Sequence, residues 1–489
     1  MRLGTRRTEY VLLGLLLLAY LLLASLFALR TPAWQTPDEP AHYNYVRQLV
    51  EGDLPVIEPG DWDQAYLSQV VGAEFDPAYP VSGITYEDWQ PPLYYLLQTP
   101  IYRLSGGSLT AMRLLSVALG AGVVLLAYVV GRAVFPGRSW AALSVAAIVA
   151  FTPQHLAMLG AMNNDSLSEL IIAAVLALLV FRWPDRPATG RLLALGLLLG
   201  AGFLTKGSAY LMAPVAGVFL LARYWPRPDR WAVHSLSQSQ SLSQLKNDYD
   251  SESDYGRPPV RSDLVRALAL VFIPALALGA LWWGRNLIVY GGLDVIGKEA
   301  HDAVVVGQPR TAEWLAQYGL MGTLGRFLRT TFVSFWGQFG WVAAPLPGWM
   351  VAGLALLTLV AMGGLALMTT DHRRQTTDDA PTSMGRGLWS VVRRQQALQI
   401  LVLSLSFLLT LALHVFYNLT FVQHQGRYLF PALIPIAVGF TAGLGYWLRP
   451  LVRRWPWAGY LLPLGLTVVL GGIALYALWR IVPGLAVGM

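Results

Sequence analysis

Two adjacent carboxylates stand shortly after the first apolar stretch of the chain, and side chains of this type suit acid–base chemistry. Residues 36–40 read Thr-Pro-Asp-Glu-Pro, and the apolar run 10–29 ends a few positions before them. A carboxylate just above a membrane surface could take the proton of a hydroxyl that attacks a lipid-carried substrate. Asp38 and Glu39 are therefore the first catalytic candidates, and His42 nearby adds a second kind of titratable group.

The acidic pair also has a purely structural interpretation. Thr36 and Glu39 have the spacing of a helix capping box, with Pro37 at the first helical position and helical apolar spacing over 41–49. Pro40 would remove an early backbone donor, however, and a cap does not need two acids. The sequence leaves both interpretations open, and one of the two acids could do no more than cap its helix.

A second polar cluster precedes the apolar run that starts near residue 165. His155 closes a Thr-Pro-Gln-His segment, and Asn164 and Asp165 close an Asn-Asn-Asp segment. Asn164 or Asp165 could simply cap the following helix. Glu169 lies four residues after Asp165, on the same helical face, about one turn into the predicted span. Ionisable groups at that depth are candidates for function.

Two isolated basic residues could bind phosphate. Lys206 divides one long apolar run, and Arg427 with Tyr428 opens another. Lysine could snorkel to the interface, and the arginine could be held by a carboxylate or by backbone carbonyls. A lysine among hydroxyls and a guanidinium fork are also suitable phosphate ligands.

Composition predicts an all-α polytopic membrane protein. The 489 residues are 55% hydrophobic and only 13% charged, whereas soluble domains carry about 25% charged residues. The apolar residues come in runs long enough to cross a bilayer core of about 30 Å. The first run is too long for a typical signal peptide, and we interpret it as a retained anchor. The absence of cysteine excludes disulfides, thiolate metal sites and cysteine nucleophiles.

About eleven spans are predicted within one membrane domain, residues 1–489. They are residues 10–29, 110–134, 139–157, 165–182, 191–205, 207–223, 264–283, 347–368, 397–417, 428–447 and 457–480. The apolar stretch 91–104 is too short to span and predicts a helix in the interface.

The distribution of charge predicts the orientation. With a cytoplasmic N-terminus, most of the 35 basic residues fall in inner connections, beside span ends. The basic balance is then a topology signal, and nucleic acid is not an expected partner. Loops 30–109 and 284–345 become external, and the first holds 11 of the 28 acidic residues. Loops 226–262 and 370–396 are internal, and their composition predicts disorder.

Several enzyme classes lack their motifs. The sequence has no phosphate-binding Gly-x-x-x-x-Gly-Lys-Ser/Thr loop, no His-Glu-x-x-His and no Gly-x-Ser-x-Gly. A soluble nucleotide-sugar enzyme and an ATP-driven transporter are therefore unsupported.

Taken together, the motifs resemble those of the GT-C class of integral-membrane glycosyltransferases. The resemblance is to the phospholipid carrier-dependent group that includes protein O-mannosyltransferase-like and aminoarabinose-transferase-like proteins, together with a related membrane family that carries Pro-Asp-Glu. The elements that carry it are residues 37–42 (Pro-Asp-Glu-Pro-Ala-His), 91–95 (Pro-Pro-Leu-Tyr-Tyr), 163–166 (Asn-Asn-Asp-Ser), 205–206 (Thr-Lys) and 426–431 (Gly-Arg-Tyr-Leu-Phe-Pro).

The resemblance implies a site on the outer face. An acidic residue of the first outer loop, here Asp38 or Glu39, would activate the acceptor or position a metal. Outer-face basic residues would hold the phosphate of a polyprenyl-phosphate sugar. The candidate substrate-binding set is Lys206, Arg427, Tyr428, His42, Asn164, Asp165 and His155.

Several points stay open. A divalent metal is one of them, with Asp38 and Asp165 as its candidate ligands. The expected reaction is sugar transfer to a lipid, glycan or protein acceptor outside the cytoplasmic membrane, with inversion at the anomeric carbon. The alternatives are a secondary transporter or flippase of lipid-linked sugars and a non-catalytic assembly factor for envelope polysaccharide.

Overall fold

The computed structural model describes residues 2–184, 186–225, 261–378 and 386–485, and it confirms an all-α protein. In these ranges the α-helices are α1 Arg2–Arg30, α2 Glu39–Glu51, α3 Gln64–Gly72, α4 Leu93–Ser105, α5 Leu109–Val134, α6 Ser139–Phe151, α7 Pro153–Leu159, α8 Asp165–Val180, α9 Thr189–Phe203, α10 Met212–Tyr224, α11 Arg261–Val289, α12 Lys298–Val304, α13 Thr311–Trp336, α14 Gly348–Asp378, α15 Arg386–Tyr417, α16 Leu433–Arg454 and α17 Leu461–Arg480. Strands β1 (Gln338–Phe339) and β2 (Ala344–Pro345) form an antiparallel ribbon.

The helices confirm a multi-pass membrane protein. Seven helices of the described ranges are long and apolar enough to cross a membrane, and α6 with α7 makes an eighth if that pair, bent by 65°, is one span. The predicted spans near 165–223 coincide with α8, α9 and α10, which have 16, 15 and 13 residues. A perpendicular span needs about 20 residues, so the count of eleven stays a prediction.

Helix α6 forms the centre of the bundle. From Ala141 to Phe151 every residue is buried, and the helix packs against α1, α5, α16 and α17. A helix that is apolar on all faces is expected at such a position. Helix α7 then leaves the axis of α6 at Pro153, whose ring cannot continue the hydrogen-bond ladder.

Glycines allow α14 and α16 to approach closely. A Cβ atom on Gly443 would lie 1.9 Å from the Ala361 carbonyl oxygen, and one on Gly364 would lie 2.1 Å from the Gly443 carbonyl oxygen. Small residues at helix crossings are the usual means of packing in membranes, where apolar side chains gain nothing by leaving lipid.

The predicted outer loops are largely ordered. Residues 30–109 contain α2, α3 and α4, and the last of these is the interfacial helix expected over 91–104. The loop 284–345 contains α12, most of α13 and the ribbon, and the sequence did not indicate α13. Its backbone is non-helical at Gly319, where φ is 68°.

The two predicted inner loops are only partly described. Helix α14 continues to Asp378 and α15 begins at Arg386, so much of the segment 370–396 is helical and the prediction of disorder there is wrong. The reason is that each helix extends beyond its apolar span. Most of the segment 226–262 lies outside the described residues, so its predicted disorder stays a prediction.

Candidate functional site

A cavity of about 600 Å³ gathers charged side chains that are far apart in the sequence. It is lined by residues of both predicted outer loops and by the ends of several spans. Asp38, Asp165, Lys206 and Arg427 all face it. Its walls also carry the aromatic side chains Trp62, Tyr86, Trp89, Tyr210, Trp341, Tyr417 and Tyr428. Aromatic rings with a few convergent polar groups are typical of ligand sites.

Asp38 lies at the N-cap position of α2 with both carboxylate oxygens engaged. Oδ1 accepts a hydrogen bond from the Tyr86 hydroxyl at 2.8 Å, and Oδ2 accepts one from the Arg427 guanidinium at 2.6 Å. Its backbone is left-handed, with φ at 69°, and its side chain caps no backbone donor. Such a conformation is uncommon outside glycine, and it turns the carboxylate away from the helix towards the cavity.

The expected capping box is therefore wrong. Helix α2 begins at Glu39, with Asp38 rather than Thr36 at the N-cap. The physical reason is that Asp38 bonds Tyr86 and Arg427 in place of the helix terminus.

The environment of Asp38 keeps it ionised. Burial favours the neutral acid, but the charge of Arg427, with smaller effects of His42 and of the hydrogen bonds from Arg427 and Tyr86, lowers the pKa of Asp38 below its usual value. A carboxylate of this kind is charged at neutral pH.

Asp165 and Lys206 form a second ion pair on the cavity wall. The Lys206 ammonium donates to Asp165 Oδ1 at 2.6 Å, and both side chains are about one quarter exposed. Asp165 begins α8, and Lys206 occupies the break between α9 and the 3₁₀ turn Gly207–Leu211. Each cation of the cavity that the sequence singled out thus has a carboxylate partner, as the structural interpretation of Arg427 required.

His42 faces the cavity in its neutral form. Its Nδ1 lies 2.9 Å from the Tyr95 hydroxyl. Burial, together with the charge of Lys206, lowers the pKa of His42 to about 3. At neutral pH His42 therefore offers hydrogen bonds rather than charge.

Glu39 lies outside the cavity lining, in a buried ion pair. Its Oε1 accepts from Arg113 Nε at 2.8 Å and its Oε2 from Arg113 Nη2 at 2.6 Å, and the side chain is fully buried. The backbone N–H groups of Trp34 and Met162 also donate to it. All its acceptor capacity is directed into the protein. The two acids that the sequence left equivalent are thus distinguished by what they touch.

Arg113 is a structural residue that the sequence analysis missed. Besides Glu39, its guanidinium donates to the carbonyls of Ala28, Thr31 and Pro32, which follow the end of α1. It connects α5 to the C-terminal end of α1 and to the start of α2. An arginine inside a predicted span was the available signal.

Two other candidates lie beside the cavity without lining it. His155 pairs with Glu169, with its Nε2 at 2.6 Å from Oε2, and its Nδ1 lies 2.7 Å from the Val149 carbonyl. Asn164 donates weakly to Gln90 and Tyr95 at 3.3 Å. Tyr428 does line the cavity.

Tyr86 and Glu87 line the cavity and were not singled out from the sequence. Tyr86 bonds the catalytic candidate Asp38 directly. Their position just before the Gln-Pro-Pro motif at 90–92 was the only sequence signal. In the part of the chain that the structure describes, no three His, Asp or Glu side chains come together as metal ligands, so a metal bound through Asp38 and Asp165 stays a prediction.

Comparison with known proteins supports the class that the motifs indicate. Residues 89–235, less than a third of the chain, match the family described as dolichyl-phosphate-mannose-protein mannosyltransferase. The match confirms the resemblance to GT-C class membrane glycosyltransferases. Comparison with curated proteins gives no match.

Solved structures are similar at low identity. ArnT from Cupriavidus metallidurans in the apo state is 15% identical, with a TM-score of 0.47 over 98% of this chain and 74% of that chain. The same protein bound to undecaprenyl phosphate gives 14% and 0.46 over 97% and 73%. The Archaeoglobus fulgidus oligosaccharyltransferase with Zn and sulfate gives 15% and 0.44 over 93% of this chain and 53% of that chain. This chain thus spans about half of the oligosaccharyltransferase.

Proposed function

We propose that this protein transfers a sugar from a polyprenyl-phosphate carrier to an acceptor hydroxyl on the outer face of the cytoplasmic membrane. The observation that carries the proposal is that Asp38, Lys206 and Arg427 face one cavity, although they lie far apart in the sequence. The family match over residues 89–235 supports the reaction class. The acceptor is a lipid, glycan or protein.

Asp38 acts as the general base. The acceptor oxygen bonds to the anomeric carbon of the sugar, the bond from that carbon to the phosphate oxygen breaks, and the proton of the acceptor passes to Asp38. The lowered pKa of Asp38 keeps the carboxylate ready to accept it at neutral pH. Glu39 takes no part, because Arg113 and two backbone donors occupy its oxygens.

Lys206 and Arg427 hold the phosphate of the carrier. Both cations are partnered by carboxylates and face the cavity, so an incoming phosphate competes with Asp165 and Asp38 for them. Competition at Arg427 would also release an oxygen of Asp38 to accept the proton. Fixed cations next to a leaving phosphate stabilise its developing charge. One displacement with one base inverts the anomeric carbon.

The test is sugar transfer by the purified protein in liposomes. Wild-type protein with a panel of polyprenyl-phosphate sugars and a membrane extract as acceptor should form a new glycosidic bond. Asp38→Asn should lower the rate by about 10²–10⁴-fold, which is the usual contribution of a general base. The matched control is Asp53→Asn, an exposed acid of the same loop, which should transfer at the wild-type rate.

Two results would contradict the proposal. The first is movement of lipid-linked sugar across the bilayer without a new glycosidic bond, which would favour a flippase. The second is transfer by Asp38→Asn at the rate of the control.

A further inference from the structure

Glu87 is a carboxyl group of the cavity that the proposed mechanism has not used. Its side chain lines the cavity beside Asp38, and its Oε2 is buried without a hydrogen-bond partner among the described residues. An ionised carboxylate oxygen that is buried and unpaired is strongly unfavourable, whereas the hydroxyl of a carboxylic acid can donate into an open space.

The neighbouring charges also disfavour ionisation of Glu87. Arg427 and Lys206 face the same cavity, but Asp38 and Asp165 already neutralise them. His42 and Tyr86, on the adjacent walls, carry no charge at neutral pH. Burial and the charge of Asp38 raise the pKa of Glu87 to about 8, despite the opposing effects of Lys206, Gln90 and Arg427.

The geometry points to Glu87 as a neutral carboxylic acid that donates a hydrogen bond to the carrier phosphate of the proposed reaction. Because both neighbouring cations are proposed phosphate ligands, the phosphate would lie within reach of the Glu87 hydroxyl. An ionised Glu87 would repel the phosphate, whereas the neutral acid stabilises the charge that develops as the sugar leaves.

Glu87 keeps its proton throughout the reaction. The second pKa of a phosphate monoester is about 6, so the released phosphate is a weaker base than ionised Glu87 and does not take the proton. The proton of the acceptor still goes to Asp38, and atoms and charges balance as before. The two carboxyl groups are thus held in opposite protonation states for opposite tasks.

The test is the rate of sugar transfer between pH 7 and pH 9. Wild-type transfer should fall about tenfold, because a carboxyl with a pKa of about 8 is about one-tenth protonated at pH 9. Glu87→Gln keeps a neutral donor at every pH, so its rate should stay constant over this range. Glu87→Ala removes the donor and should lower the rate by about 10²–10³-fold at pH 7.

Asp88 supplies the matched control. It is a buried neighbour whose pKa burial also raises to about 8, but it bonds Gln48 at 2.8 Å and does not line the cavity. Asp88→Asn should therefore keep the alkaline fall of the wild type. If Glu87→Gln also kept that fall, the inference would be wrong and the proposed function would stand.

A second measurement does not depend on catalysis. The infrared difference between wild type and Glu87→Gln should contain the carbonyl band of a protonated carboxylic acid at pH 7, and this band should weaken by pH 9. Its absence at pH 7 would overturn the inference. Failure of the wild type to transfer sugar from any donor would instead overturn the proposed function and, with it, the role of Glu87.

Discussion

Single residues of the site are defined by their partners more than by their types. Asp38 and Glu39 are adjacent, yet one faces a cavity and the other is enclosed around Arg113. The left-handed backbone of Asp38 separates them, because it rotates successive side chains in different directions. Sequence reasoning could name the pair but could not divide it, since the division depends on Arg113 and Arg427, which are 74 and 389 positions away from their partners.

The neutral state of His42 predicts how the site responds to acid. The pKa of His42 is about 3, so the group gains a proton only when the pH falls far below 5. Glu87 stays neutral and Asp38 stays ionised as the pH falls from 7 to 5. We therefore expect His42→Gln to leave the shape of the pH–rate profile between pH 5 and pH 7 unchanged, as measured on both proteins side by side. Loss of an inflection near pH 6.5 in the variant would show that His42 titrates there.

The pair of Glu39 and Arg113 predicts a loss of stability rather than of chemistry. Glu39→Gln leaves a buried guanidinium without its countercharge, which costs about 3–5 kcal/mol in the free energy of unfolding. The measurement is denaturant unfolding in detergent.

Arg47 and Glu51 provide the control for this prediction. They form a surface pair at 4.0 Å on the same helix, and Glu51→Gln should change the free energy of unfolding by about 0.5 kcal/mol or less. Equal effects of Glu39→Gln and Glu51→Gln would show that the buried pair does not stabilise the fold.

At the scale of the elements, the apolar helices were predictable and the amphipathic ones were not. All the predicted spans coincide with helices, because a backbone in lipid must satisfy its own hydrogen bonds. Helix α13 escaped detection, since its polar residues hide it from a hydropathy pattern. The bend at Pro153 was also missed, because the residues on both sides of it are equally apolar.

Close packing of α14 on α16 gives a prediction at this scale. Gly443→Ala would place a methyl group 1.9 Å from the Ala361 carbonyl oxygen, and we expect it to destabilise the protein by about 1–3 kcal/mol or more. On the same helix, Gly439 is the control, because a Cβ there would meet only the Leu365 side chain, at 3.9 Å. Thermal unfolding in detergent compares the two variants, and similar melting temperatures would contradict the role of the crossing.

At the scale of the whole molecule, the charge distribution predicts which side the cavity faces. Every polar residue of the site belongs to a segment assigned to the outer side, and the sequence reached this grouping from topology alone. What it could not provide was the contact list, because topology fixes a side of the membrane and not a neighbour.

The absence of cysteine allows a direct test of the topology. Ala78, exposed on the first outer loop, and Arg138, exposed between α5 and α6, should lie on opposite sides. A membrane-impermeant maleimide should label Ala78→Cys in intact cells and should label Arg138→Cys only after permeabilisation. The reverse pattern would invert the assigned orientation.

The separation of Asp38 from Arg427 also has a consequence for biosynthesis. The two residues are 389 positions apart, and ribosomes deliver the N-terminal part of a chain first. Asp38 therefore leaves the ribosome long before its cationic partner has been synthesised, and meanwhile only the hydroxyl of Tyr86 can bond it. The site becomes complete when one of the last helices is inserted, so a nascent or truncated chain in the membrane is catalytically silent.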